Sequence, residues 1–339
     1  MKRSILFAIC LGIITSNLYA DTRLEESHNN KQTSLSHAPI SVMRDHTHHQ
    51  GEWMLSYRLM SMDMGQLHQG NTAIDRTTVT NQFMMSPTSM QMIMHMVGVM
   101  YAPSDTWTLM AMMPYHSRSM TMINRMGVSS EMTASGPGDL SLSALYSLEA
   151  SGADRFLAHV GLSLPSGAID KSQTRMGNTQ RLPYSMQLSS GTTDFLAGGT
   201  YSKTLQDLQL GTQAAIQYRG NTNSAGYRLG HKASLTGWIS KAWSHAISNS
   251  LRLSYTKQGA ISGEDALISA QTMSPSTHAA NTGYSSLDLG IGLNFLGHEG
   301  ALKDHRFAIE YVIPLSTSTN GIQLATSSTL TFGWQKALL

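Results

Sequence analysis

The chain has 339 residues, with 23 Lys+Arg against 21 Asp+Glu and a single cysteine. Cys10 lies in the apolar run near the start, so nothing beyond it can form a disulfide, a thiolate metal site or a cysteine nucleophile. The charge balance argues against a polybasic nucleic-acid or membrane anchor. No later run reaches the roughly 18 apolar residues that a membrane-spanning helix needs.

Lys2 and Arg3, the run "ILFAICLGII" and then "SNLYA" before "DTRLEES" read as a cleavable export signal over 1–20, cut after about Ala20. Cys10 follows Ile9 too early for a lipoprotein signal. Without the signal the chain carries 21 Lys+Arg against 21 Asp+Glu. Residues 21–50 are expected as a His-containing segment on the periplasmic side. They hold "RDHTHHQ", in which His46, His48 and His49 lie close to Asp45. Imidazoles and a carboxylate so placed suit Cu(II), Zn(II) or Ni(II), and at a channel mouth they would collect ions. The same histidines also suit a merely solvated segment.

From 51 to 339 the pattern changes to a period of two, in segments of about ten residues, the length of a tilted membrane-spanning strand. In "WMLSYRL", Trp53, Leu55, Tyr57 and Leu59 oppose Met54, Ser56 and Arg58. In "GDLSLSALYSL", Leu140, Leu142, Ala144, Tyr146 and Leu148 oppose Asp139, Ser141, Ser143 and Ser147. "LQLGTQAAIQYRG", "YSSLDLGIGLNFL", "HRFAIEYVI" and "SSTLTFGWQ" repeat the alternation. Polar side chains recurring opposite apolar ones need water, which a barrel lumen supplies. Short connections at 102–105, 149–154, 204–207, 244–249 and 297–304 alternate with longer ones near 63–88, 117–137, 166–191, 220–226, 260–283 and 315–323. The sequence therefore predicts an all-β fold: a transmembrane antiparallel up-and-down β-barrel of about 12 strands in the bacterial outer membrane, with both termini on the short-turn, periplasmic side. Trp53, Tyr101, Trp107, Tyr115, Tyr201, Tyr218, Trp238 and Trp334 are expected in the interfacial girdles. A soluble sandwich or lipocalin-like barrel would also alternate, but its apolar outer face would be hard to cover.

The stretches "GEWMLSYRLMSMDM", "MYAPSDTWTLMAMMPY", "SGPGDLSLSALY", "GLSLPSGAID", "LPYSMQLSSGTTDFLAGGTYS" and "TLTFGWQ" resemble outer-membrane transporters grouped under a phenol-degradation (MetA-pathway) heading, in a methionine-rich branch. The resemblance covers most of the chain after the signal. It implies an outer-membrane barrel with a transport role and a link to copper handling. Such barrels generally end on an aromatic residue, whereas this chain ends "WQKALL".

Of 23 methionines, 19 lie between Met43 and Met132, an excess that average usage does not produce. Thioethers are soft, uncharged ligands suited to Cu(I) and Ag(I). Residues i and i+2 of a strand share a face, so Met-x-Met repeats form rows of sulfurs. With the aromatic faces toward lipid, Met54, Met60 and Met62 on the first strand, and Met110, Met112 and His116 on the third, turn to the lumen. On the second strand Met92, Met94, Met96 and Met100 oppose Gln91, Ile93, His95, Val97, Val99 and Tyr101; the methionine face is favoured inward. Methionine also fills gaps and lines adaptable surfaces without any metal.

"GLSLPSG" has Pro165 where a Gly-x-Ser-x-Gly elbow needs its second glycine, and neither a zinc-protease helix nor a phosphate loop is visible, so no enzyme is expected. The expectation is a channel or transporter for a small solute, linked to copper or silver through a Met/His-rich lumen. The alternative is an uptake channel for apolar or aromatic compounds that binds no metal. No cofactor is required, with Cu(I) or Ag(I) entering as ligand or substrate. The expected partners are outer-membrane lipid, the solute and a periplasmic protein, not nucleic acid. Gating is expected from the Met-rich connections 63–88 and 117–137.

Overall fold

The computed structural model describes residues 33–148, 154–175 and 177–338. The predicted export signal, the segment up to residue 32, nearly all of the turn 149–154 and Met176 lie outside the described residues. Among those described, no helix is long and apolar enough to cross a membrane.

In chain order the elements are β1 (Trp53–Gly70), β2 (Thr72–Ile74), α1 (Arg76–Gln82), β3 (Met85–Tyr101), β4 (Trp107–Asn124), β5 (Ser129–Pro137), β6 (Leu140–Leu148), β7 (Asp154–Leu164), β8 (Ser172–Arg175) and β9 (Asn178–Arg181). Then come β10 (Asp194–Leu205), β11 (Leu208–Tyr218), β12 (Tyr227–Arg228), β13 (Lys232–Ala242), β14 (Ile247–Gln258), β15 (Ser262–Gly263), α2 (Ala266–Ser269), β16 (Tyr284–Leu296) and β17 (His305–Leu338). The strands β1, β3, β4, β6, β7, β10, β11, β13, β14, β16 and β17 pair in that order, and β17 pairs again with β1, which closes the ring. β17 contributes twice: residues 306–319 pair with β16 and residues 322–338 with β1. It folds back at Asn320 and Gly321, where φ is +66° and glycine carries no Cβ penalty. Ala337 N–H donates to Asp304 O across the resulting hairpin at 3.3 Å. Eleven elements thus make twelve antiparallel staves, the predicted up-and-down barrel.

The outer face is apolar where the strands alternate. Leu55, Val97, Leu109, Val160, Leu235 and Ile291 are all exposed, Val97 at 60%, although each sits in a paired strand. An apolar surface of that kind around a polar interior is stable against lipid. Aromatic pairs line the short-turn end: Trp53 with Tyr101, Trp107 with Tyr146 and Phe156 with Tyr201, with ring centroids 4.5 to 4.8 Å apart. Trp238, expected in a girdle, instead faces inward and packs on Ala38 and Val42.

Three connections expected as loops are largely strand. β1 runs on to Gly70 and β3 starts at Met85, leaving a connection that holds α1, whose Val79 packs on Leu67 and Ile322. β4 reaches Asn124 and returns as β5, a ribbon paired from Ile123 with Ser129 to Tyr115 with Pro137. The 315–323 connection is a two-residue turn inside β17. Above the lipid both faces of a strand meet water, so polarity there does not distinguish strand from loop.

The segment 33–50, expected outside the barrel at the periplasmic mouth, lies within the lumen. Ser34 N–H donates to His245 O (2.9 Å), Arg306 to Ala38 O (2.7 Å), Ser41 N–H to Glu310 Oε2 (3.1 Å) and Gln213 to Met43 O (2.8 Å). Arg44 donates to Ser143 and Ser141 at 2.9 and 3.1 Å, and Gly51 N–H returns to Ala102 O at the short-turn rim. These partners lie on or beside staves all round the ring. The buried Leu35, Ala38, Ile40 and Val42 explain the placement, because a solvated arm would leave them in water.

Candidate functional site in the barrel lumen

The even-numbered residues of β1 as far as Met64, of β3 from Met90 and of β4 face inward. Buried Met54 and Arg58 fix the face on β1, Met96 and Met100 on β3, and Met110 and Met112 on β4. The other predicted methionines, Met60, Met62, Met92 and Met94, are half-buried on the same faces. Strand register then stacks them into rungs: Met54–Met100–Met110, Met60–Met94–His116, Met62–Met92–Arg118 and Met64–Met90–Met120. β5 extends the last rung with Met132 opposite Met120. Directly opposed Cβ atoms lie about 4.5–5.5 Å apart, within reach of neighbouring thioethers.

Two sulfur-rich clusters result. The lower one contains Met54, Met96, Met100, Met110 and Met112, with Met43 of the inserted segment packed against it. The upper one contains Met90, Met120, Met122 and Met186, with Met64, Met85 and Met132 at its edge. Outward positions on the same strands change from Leu59 to Ser61 and Asp63, and from Tyr115 to Ser117 and Ser119. The upper rungs therefore stand at or above the outer edge of the apolar belt. There Arg118 donates to Ser185 O and Gln187 O, drawing the connection 165–193 onto the rungs. Asp139 holds the same connection through Ser189, Ser190 N–H (2.9 Å) and Ser190 Oγ (3.0 Å).

Beside the tip of the inserted segment lies a cavity of ≈ 400 Å³. Met43 and Arg44 line it beside Met96 and Met112, while Gln213, Lys232 and Arg252 supply polar groups. Thioethers and cationic or amide groups thus share the wall of one chamber.

The histidines form a second constellation. His37, Asp45 and His46 each offer one ligand atom within 4.8 Å of the others. His46 Nδ1 is 2.9 Å from Asp45 Oδ1, and Asp45 Oδ2 accepts the Ala38 N–H at 2.8 Å. The His46 ring lies 4.2 Å from that of His37 and 5.0 Å from that of His48. Burial, and then the neighbouring His46, push His37 well below the usual imidazole range; the same causes take His48 to about 3. Burial alone would raise Asp45, but the adjacent His46 holds its carboxyl well below the usual range. His37 and His48 are therefore neutral near pH 7, with lone pairs open to a metal.

Of the sequence-predicted site residues, Met54, Met60, Met62, Met92, Met94, Met96, Met110 and Met112 share the inner wall, and His46 and His48 join the lumenal cluster. His49 does not: its side chain is 63% exposed at the rim, 3.5 Å from Asp105. Sequence reasoning missed Met64, Met90, Met120 and Met122 as site members, although their even-numbered positions in the same strands carried the signal. It had no means of placing His37, Met43 or Met186, which arrive from the inserted segment and a connection.

Ring and lumen together define a transmembrane β-barrel of the outer-membrane type, filled from its short-turn end. No protein-family model and no curated protein matches the sequence. Among solved structures the chain is similar to an outer membrane channel from Pseudomonas putida F1, with a TM-score of 0.60 at 11% identity over 86% of this chain and 97% of that one. It is also similar to the transport unit of the autotransporter AIDA-I from Escherichia coli (TM-score 0.46, 11% identity, 88% and 94% covered) and to the NanC porin (0.42, 10%, 84% and 100%). At these identities the likeness is one of fold.

Proposed function

We propose that this protein is an outer-membrane channel for a small solute whose inner wall binds soft monovalent cations, Cu(I) and Ag(I), as ligand or cargo. The observation that carries the reading is the stack of inward-facing methionine rungs across β1, β3 and β4. A packing role needs apolar volume but no sulfur, whereas successive thioether rungs along one wall offer a soft ion a series of exchangeable sites. The fold likeness to an outer membrane channel supports the transport half of the reading, while membership of the methionine-rich, phenol-degradation-type transporters is proposed on the sequence resemblance alone. Delivery to or from a periplasmic partner belongs to the same proposal.

The test is the variant Met92→Leu/Met94→Leu/Met96→Leu, which conserves volume closely enough for the barrel to fold. Ag(I) titrated into the refolded wild type should bind, and the triple variant should bind at least about tenfold more weakly, a loss of about 1.4 kcal/mol. Unchanged Ag(I) binding in a variant that still shifts on heating in electrophoresis would refute the site. A second reading, uptake of apolar or aromatic compounds, is favoured by the chamber of ≈ 400 Å³ with its methionine wall. It requires solute accumulation that depends on the protein and is indifferent to copper.

A further inference from the structure

We propose that His37, His46 and His48, with Asp45 orienting the His46 ring, form a binding site for a borderline divalent cation such as Zn(II) or Cu(II), and that the bound ion fastens the inserted segment 33–50 in its lumenal fold. The proposal is separate from the thioether wall in both donor chemistry and position. Imidazole donors select divalent first-row metals, for which thioethers are poor ligands.

Three observations support it. All four side chains are largely or wholly buried inside a water-accessible barrel, His37 at 5%, His46 at 9% and His48 at 4% exposure, with the Asp45 side chain at 3%. His37 Nδ1, His46 Nε2 and His48 Nε2 are buried without hydrogen-bond partners. Buried polar atoms in native proteins are normally satisfied, so three orphaned ring nitrogens on neighbouring imidazoles call for a shared partner. His46 also has the arrangement of a metal-bound imidazole: Nδ1 is engaged by a carboxylate, which orients the ring and frees Nε2.

The position gives the ion a consequence. His37 stands on the arm entering the barrel and Asp45 to His48 on the arm returning, with the tip Ile40 to Arg44 between them. That tip makes the contacts to Glu310, Gln213, Ser141 and Ser143 on three different staves. One protein bond, from Ala38 N–H to Asp45 Oδ2, already ties the arms. Tetrahedral ligands on bonds of about 2.0 Å lie about 3.3 Å apart, so an ion held from both arms would draw them together. It would act as a staple across the neck of the loop, holding the tip in place.

The experiment uses the refolded full-length barrel in detergent with Zn(II) as the thermodynamic probe and Cu(II) as the spectroscopic one. Calorimetry should show one Zn(II) per chain, weakened at least tenfold by His37→Asn/His46→Asn. Cu(II) resonance spectra of the wild type should show splitting from two or more imidazole nitrogens. In planar bilayers, chelator should raise the conductance of the wild type and leave that of the double variant unchanged. A Cu(II) spectrum with oxygen ligands alone would overturn the site without need of any variant, as would unaltered Zn(II) affinity in a folded double variant. Wild-type conductance insensitive to both Zn(II) and chelator would overturn the fastening.

Discussion

Glu310 shows how single residues set the lumen. It is 1% exposed, lies 2.7 Å from Arg252 Nε through one carboxylate oxygen and accepts Ser41 N–H through the other. One side chain thus joins two staves and the inserted segment. Replacing one partner of a buried ion pair strands the other charge. Glu310→Gln retains an acceptor for Arg252, so the expected cost is about 2 kcal/mol, below the roughly 3–5 of a full deletion. Urea-induced loss of the heat-modifiable band should move to lower concentration by that amount. Gly290 stands opposite Arg252 in the register, and a Cβ there would collide with Glu310 Oε1. Gly290→Ala should therefore cost about 1–3 kcal/mol by displacing the pair, in the same urea measurement.

At the scale of elements, the methionine-bearing strands continue as paired ribbon beyond the apolar belt. Amides of 117–124 and 129–136 should exchange slowly with deuterium, and those of the turn 125–128 rapidly; uniform fast exchange over 117–136 would restore the loop reading. Stave number and the inner face of β1, β3 and β4 were legible in the sequence, because period-two alternation with an apolar outer set has one stable solution in lipid. Strand ends were not, since "SRSMTMIN" is mostly polar on its outward face and "STSTNG" on both, and water accepts either structure. The inserted segment was illegible for another reason. Its partners are far away in sequence, as with Leu35 O and Gln209 or Ser41 and Glu310, and no local pattern encodes them. His37 escaped notice for the same reason: only the return of the chain at Asp45 brings it to His46.

For the whole molecule, twelve staves at a spacing of about 4.8 Å and a tilt of about 40° give a ring about 24 Å across, wide enough for an open pore once side chains are subtracted. Two elements occupy that width in series. The segment 33–50 crosses the short-turn end, and the connection 165–193, clasped by Asp139 and Arg118, lies over the upper rungs. The connections after β7, β11 and β14 then interlock through Tyr184, Tyr227, Ile268 and Ala279, with Arg181 3.3 Å from Asp265. Ring closure uses none of these contacts, because it rests on the register between β17 and β1. Deleting residues 33–50 should therefore leave a folded barrel and raise monosaccharide entry into liposomes several-fold. Adding Asp139→Ala, which frees Ser189 and Ser190, should raise it again. If the second change adds nothing, the upper connection is not a barrier; if the deletion alone adds nothing, flux is limited above the chamber, and the methionine rungs under 165–193 are the narrow part of the path.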